Sequence, residues 1–284
     1  MKIKVLSFIF GGAMSLLLII GCGGSSKSSE KTGESSISAA NVNKPLNISV
    51  YLDLSDRLER KMAPSQKDRD IEIVKHITDI VKNHAVNQKI LPCRDRIKVF
   101  FYPSPDDANI ANLANNLEMD LEKAQPAEKK TILIDFQGKF NKSLTQIYDA
   151  TLQNKNWIGS DIWGFFNKQV GTYCIKKDAR NIIVILTDGY IYHANNKQQQ
   201  GNDYSYILPQ TLAKANSGMI VSRKGLENLE VLMLELNPYT PTQGSQMEDI
   251  LTNWFTGMGV KKLRIGETDL PTNTKMIIDK FFED

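Results

Sequence analysis

An α/β fold with a mostly parallel central sheet and helices on both faces is the class this sequence predicts, and three observations carry the expectation. Short continuous apolar runs rich in β-branched and aromatic residues recur along the chain, as strands buried on both faces require. Segments with apolar residues at three- and four-residue steps lie between them, as helices packed along one side require. Acidic residues stand at the carboxyl ends of two of the runs, where Rossmann-like sheets gather their binding groups.

In chain order, the expected strands are Ile48 to Leu54, Ile97 to Tyr102, Thr131 to Phe136, Ile182 to Leu186, Leu229 to Leu236 and Lys262 to Ile265. Ile71, Val74, Ile77, Ile80 and Val81 mark one helix, and Leu144, Ile147, Tyr148 and Leu152 mark another. Two more helices are expected over Gln246 to Phe255 and Asn273 to Phe282. Alternation of this kind implies right-handed crossovers between parallel strands. The second and third runs break the alternation: the segment between them, Asp106 to Gln125, reads as a helix inserted on an edge hairpin.

Ahead of this region stand Lys2 and Lys4 and an apolar stretch from Val5 to Ile20, the charged and apolar parts of an export signal. The stretch contains Gly11 and Gly12 and falls short of the roughly 20 apolar residues a spanning helix needs. It ends in Ile19-Ile20-Gly21-Cys22, which resembles the lipobox of bacterial lipoproteins. That resemblance implies cleavage before Cys22 and lipid attachment to its thiol. Residues 1–21 are thus expected to be a signal peptide, and residues 22–44, dominated by Gly, Ser, Lys and Glu, a flexible tether. Residues 45–284 are long enough for one large domain. The address expected is the cell envelope, outside the cytoplasm, and the outer membrane if the cell has one.

Loss of residues 1–21 takes the formal charge from +3 to +1, which gives no electrostatic case for nucleic acid. Cys93 and Cys174 lack zinc-site spacing, and are read either as a disulfide of an oxidising compartment or as two separate buried thiols. No phosphate loop, dinucleotide fingerprint or nucleophile elbow is present.

The chemistry concentrates in Asp53-Leu54-Ser55-Asp56-Arg57 after the first strand and Thr187-Asp188-Gly189 after the fourth. Carboxylates at these two strand ends can converge although they are far apart in sequence. Oxygen-only donors suit a hard divalent cation, Mg²⁺ first, with Mn²⁺ or Ca²⁺ as further candidates. The other reading of Asp53 and Asp188 is that they cap the turns that follow them.

At these residues the chain resembles the von Willebrand factor type A family. Asp53 and Ser55 match the start of that family's D-x-S-x-S motif, Asp188 matches its later aspartate, and Ser160 in Gly159-Ser160-Asp161 stands where it has a threonine. The resemblance implies a cation site of Asp53, Ser55, Ser160 and Asp188 that takes up a carboxylate from another protein, without catalysis. Arg57 departs from the pattern, since a guanidinium cannot ligate a cation. Two outcomes follow: Arg57 swings outward to pair with a carboxylate while Asp56 or water completes the metal's shell, or its guanidinium replaces the metal by bridging Asp53 and Asp188. Tyr190, Tyr192 and His193, with Trp157 and Trp163, are the candidate partner-facing residues. The expectation is therefore a membrane-anchored interaction or adhesion module. The alternatives are a metal-dependent phosphoester hydrolase, with His193 as its base, and a structural envelope protein with a metal-free site.

Overall fold

The computed structural model describes residues 44–155, 157, 159–190, 198–200, 203–205 and 226–283. The expected signal peptide, Cys22 and most of the tether lie outside the described residues, as do Tyr192 and His193. β1 (Leu46–Leu52), β4 (Arg180–Leu186) and β7 (Leu229–Leu236) are buried at every position. Runs so poor in solvent-seeking side chains belong in the middle of a sheet, with β2 (Arg96–Phe100), β3 (Glu118–Asp120) and β8 (Lys262–Glu267) outside them. The spatial order is β3-β2-β1-β4-β7-β8. All neighbours are parallel except β2 and β3. The chain winds outward from β1 to one edge, then returns to β4 and winds to the other. This Rossmann-like order places the topological switch point between β1 and β4.

Two apolar cores flank the sheet because alternate side chains of each strand point to opposite faces. Ile48, Val50 and Leu52 with Ile182, Val184 and Leu186 pack under α1 (Gln66–Asn87), α2 (Ala108–Ala114), α3 (Lys129–Asn154) and α6 (Pro271–Glu283). Tyr51, Ile183 and Ile185 pack under α4 (Ile162–Phe165), the π-helix Phe166–Cys174 that continues it, and α5 (Pro241–Gly257). β5 (Gln198–Gln200) and β6 (Asp203–Ser205) form a separate antiparallel pair. No helix among the described residues is long and apolar enough to cross a membrane.

The expected strand over Thr131 to Phe136 is the first part of α3 instead. Leu133, Phe136, Phe140, Leu144 and Ile147 are buried at helical spacing, whereas Ile134 is 61% exposed. The run is apolar on consecutive positions, yet only one side of it meets the core, and the helical stripe that follows captures it. The edge hairpin does form, but its second strand is β3, paired antiparallel to β2 through Arg96 and Asp120, Ile97 and Met119, and Lys98 and Glu118. Within the insertion, α2 is capped by Asp107, whose carboxylate accepts from the amides of Asn109 and Ile110.

Cys93 and Cys174 are free, and they lie in the cores on opposite sides of the sheet. Of the two readings of this pair, the structure takes the separate buried thiols. Burial pushes each thiol up to about 12, far from the range of a nucleophile.

The helical assignment of residues 131–136 yields a mutational test. Leu133→Ala should cost roughly 2–5 kcal/mol by leaving a cavity in the core. Ile134→Ala should stay within about 0.5 kcal/mol, as exposed positions do. Urea unfolding of the two variants measures the difference, and equal losses would restore the strand.

Candidate functional site

Three backbone hydrogen bonds extend the ladders past the carboxyl ends of β1, β4 and β7. They run from Asp53 N to Leu186 O (3.1 Å), from Thr187 N to Leu234 O (3.2 Å) and from Asn237 N to Asp188 O (3.1 Å). Asp53, Asp188 and Asn237 therefore emerge side by side at the switch point. Asp53 is fully buried, and both its oxygens are engaged: Oδ1 accepts from Ser55 N at 2.8 Å and Oδ2 from Thr187 Oγ1 at 2.7 Å. Ser55 caps the short 3₁₀ turn Asp56–Glu59, accepting from Arg57 N at 3.4 Å. This tight cap sends the Arg57 side chain back under the strand ends rather than into solvent.

Arg57 is buried with its guanidinium against the carboxylates. Its Nε donates to the Asp53 carbonyl at 2.9 Å and lies 3.7 Å from Asp53 Oδ2. Its Nη2 donates to Asp70 Oδ2 at 2.6 Å, while Nη1 is buried with no hydrogen-bond partner. Burial alone would lower the Arg57 pKa, but Asp70 and then Asp53 outweigh it and hold the group above its ordinary value. Asp70 Oδ2 also accepts from Tyr148 Oη at 2.6 Å, and Gln66 Nε2 donates to Asp70 Oδ1 at 2.9 Å. Burial, and next the Asp70 charge, raise the Tyr148 phenol well above its ordinary value, so it stays protonated as a donor.

The same layer continues to β7. Arg69 grips Glu235 with a fork, Nε to Oε2 at 2.6 Å and Nη2 to Oε1 at 2.9 Å. Glu235 is a buried residue with φ +69°, and the ladder to β8 shifts register between Met233 and Leu236. That shift turns Leu236 into the core under α5, away from the face that Leu232 and Leu234 share.

Of the four expected cation ligands, Asp53, Ser55 and Asp188 meet at the switch point. Ser160 is buried, and its Oγ is engaged by Tyr51 Oη at 3.2 Å, while Tyr51 donates to Tyr102 O at 3.0 Å. Asp161, next to it, caps α4 by accepting from Gly164 N at 2.8 Å. As arranged, these donors do not fit a hard divalent cation: a charged guanidinium already stands 3.7 Å from Asp53 Oδ2. At an effective dielectric of about 20, two unit charges about 4 Å apart interact by roughly 4 kcal/mol, and a divalent ion doubles the repulsion. Arg57 turns inward, as one of the two outcomes has it, but among the described residues its guanidinium bridges Asp53 and Asp70 rather than the expected Asp53 and Asp188. Its second partner is Asp70 on α1.

Asp188 is partly exposed and accepts from Tyr190 N at 3.1 Å. Burial, with the nearby Asp53 charge adding to it, raises its carboxyl to about 7, against the opposing effect of Arg57. Gly189 follows with φ +94°, and a Cβ there would strike the Met247 sulfur, so the turn that presents Asp188 needs glycine. At the surface beside it, Arg60 lies 4.4 Å from the centre of the Tyr239 ring and donates to Asn237 O. The Tyr190 ring is 5.6 Å from that of Tyr239, which is 75% exposed. Trp157 and Trp163 are partly buried and pack against the two cores. Asp70, Tyr148, Arg60 and Tyr239 were not among the expected site residues. The signal for Asp70 was present: Gln66, Arg69 and Asp70 continue the stripe of Ile73, Val74 and Ile77 at helical spacing.

Two measurements probe this layer. Between about pH 4, the carboxyl's unfolded value, and about pH 7, the folded state retains the Asp188 proton while the unfolded chain has lost it. The stability due to that proton is complete below the window and disappears as pH rises through it. Asp188→Asn should therefore flatten the fall in urea midpoint from pH 4 to pH 7. Separately, Arg57→Met should cost roughly 3–5 kcal/mol, because it strands two buried carboxylates. A loss under about 1 kcal/mol in urea unfolding would contradict the ion-pair assignment.

No family model matches the chain, and no curated protein matches it in sequence. Among solved structures, the pilus adhesin SpaC from Lactobacillus rhamnosus GG is similar at 12% identity and a TM-score of 0.46. That match covers 84% of this chain, which spans 30% of the adhesin chain.

Proposed function

We propose that this protein is a lipid-anchored envelope protein whose domain, a diverged relative of the von Willebrand type A fold, binds another protein without a cation. The observation that carries the reading is the rim beside Asp188, in which the exposed Tyr239 stacks with half-buried Arg60 and Tyr190 above the layer locked by Arg57. Aromatic rings and arginine at the edge of a switch-point crevice are the residue types that anchor protein interfaces. The export features of residues 1–21 and the Cys22 lipobox support the envelope address. The cation implied by the resemblance has no part in this reading, because Arg57 supplies the positive charge between Asp53 and Asp70.

Site-specific photo-crosslinking in cells tests it. A photoreactive residue at position 239 should give a discrete protein adduct that survives EDTA and disappears with Arg60→Glu. The same residue at position 173, at the opposite end of the strands, should give none. An adduct that EDTA abolishes would return the cation to the site, and equal adducts from both positions would remove the rim as the interface. Radiolabelled palmitate carried by the protein and lost with Cys22→Ser checks the anchor on its own.

A further inference from the structure

The amino ends of the strands, opposite the rim, hold a feature that the binding reading leaves unused. Lys44 and Pro45 enter β1 there, and three loops converge beside them: the α1–β2 loop with Arg94, the β3–α3 loop with Glu122, and the loop into β4 with Lys176, Lys177 and Asp178. Together with Pro45 they line a cleft of about 250 Å³. Lys176 pairs with Glu122, whereas Arg94 and Lys177 are exposed and have no carboxylate partner among the described residues. Lys44 and Lys89 are exposed at the same end, as is Lys123, which pairs with Glu118 and Asp120; Glu128 and Glu227 are exposed there too. Leu91, 63% exposed, lies in the α1–β2 loop, and Tyr173, 48% exposed, stands in the last turn of the π-helix at the same end. The other end carries more acidic groups, with Asp56, Glu59, Asp106, Glu267 and Asp269 around the strand ends against Arg60, Lys61 and Lys155.

We propose that this basic base is a membrane-docking surface, in which Arg94 and Lys177 take phosphates of anionic phospholipid headgroups while Leu91 and Tyr173 settle among the headgroups. Basic groups mixed with a few exposed aromatic and aliphatic side chains are what an anionic interface selects. Charge separation makes the docking directional. β1 has seven residues and spans about 23 Å at roughly 3.3 Å each, more than two Debye lengths of about 8 Å, so the acidic end does not offset the attraction. The direction in which the base faces rests on the reading of Cys22 as the lipid-bearing residue: the tether joins at Lys44, which keeps this end nearest the bilayer. Docking would leave the Tyr239 rim pointing away from the membrane.

Residues 37–284 form a compact unit of their own, so the chain from residue 22, with Cys22→Ser, is the protein to test. It should co-sediment with phosphatidylcholine vesicles containing about a third phosphatidylglycerol, and far less with phosphatidylcholine alone. Arg94→Glu with Lys177→Glu should weaken the partition by at least about tenfold, as should raising the salt to about 1 M. Lys139→Glu with Lys142→Glu, an equal charge change on exposed positions of α3, should leave most of the binding intact. Absence of binding to the anionic vesicles, or an equal loss in both double variants, would overturn the proposal. So would a calorimetric heat with inorganic phosphate alone, which would make the cleft a site for the free ion. Because this protein carries no lipid, a failure here is distinct from a failure of palmitate labelling at Cys22.

Discussion

The pairing of the Arg57 guanidinium with Asp70, hard against Asp53, is the constraint on which the upper half of the molecule depends. Two carboxylates without solvent at a sheet switch point repel each other and lack hydration, and a positive charge must stand between them. A diffusible ion would leave that charge to the composition of the medium. A side chain makes it permanent, at the cost of a binding position that an exchangeable ion keeps open. The price of permanence is visible in Nη1, a buried donor with no hydrogen-bond partner.

Because Asp70 lies on α1, Tyr148 on α3 and Asp53 just past the end of β1, the same charge holds two helices against the central strand. Gln66 extends the layer to Glu235 on β7, and Arg69 completes it. This is a polar stratum set across one end of an otherwise apolar interior. Apolar contacts fix the layers only loosely in register, whereas hydrogen-bonded charges tolerate few alternatives. The stratum thus defines where β1, β4 and β7 stop and where the residues beyond them face the surface.

Much of this was legible in the sequence. The central strands are apolar over lengths that leave no other assignment, and Asp53 and Asp188 stood out because each lies within two residues of the end of such a strand. Two things were not legible, for different reasons. Residues 131–136 satisfy strand and helix patterns alike, and only the continuation of the stripe through Phe140 and Leu144 decides between them. The direction of Arg57 depends on Asp70, a residue on the next helix whose approach is set by tertiary packing. Tyr239 and Arg60 escaped for the same reason: they come from loops after different strands and meet only once β1 and β7 flank β4.

The position of β1 has a mechanical meaning as well. The chain enters at the base of this strand, and Asp53 leaves at its top, beneath the rim. Along its length β1 is bonded on one side to β2 and on the other to β4, both parallel to it. Leu46 N is also held by Asp95 Oδ1 at 2.8 Å, and Arg180 N by Pro45 O at 2.9 Å. If the protein is anchored through Cys22 and binds a partner at the rim, as proposed, tension between the two runs along the strand axis. It loads both ladders in shear, so that their hydrogen bonds yield together rather than one after another. A strand at the edge would carry the same pull on one ladder, whereas β1 carries it on two.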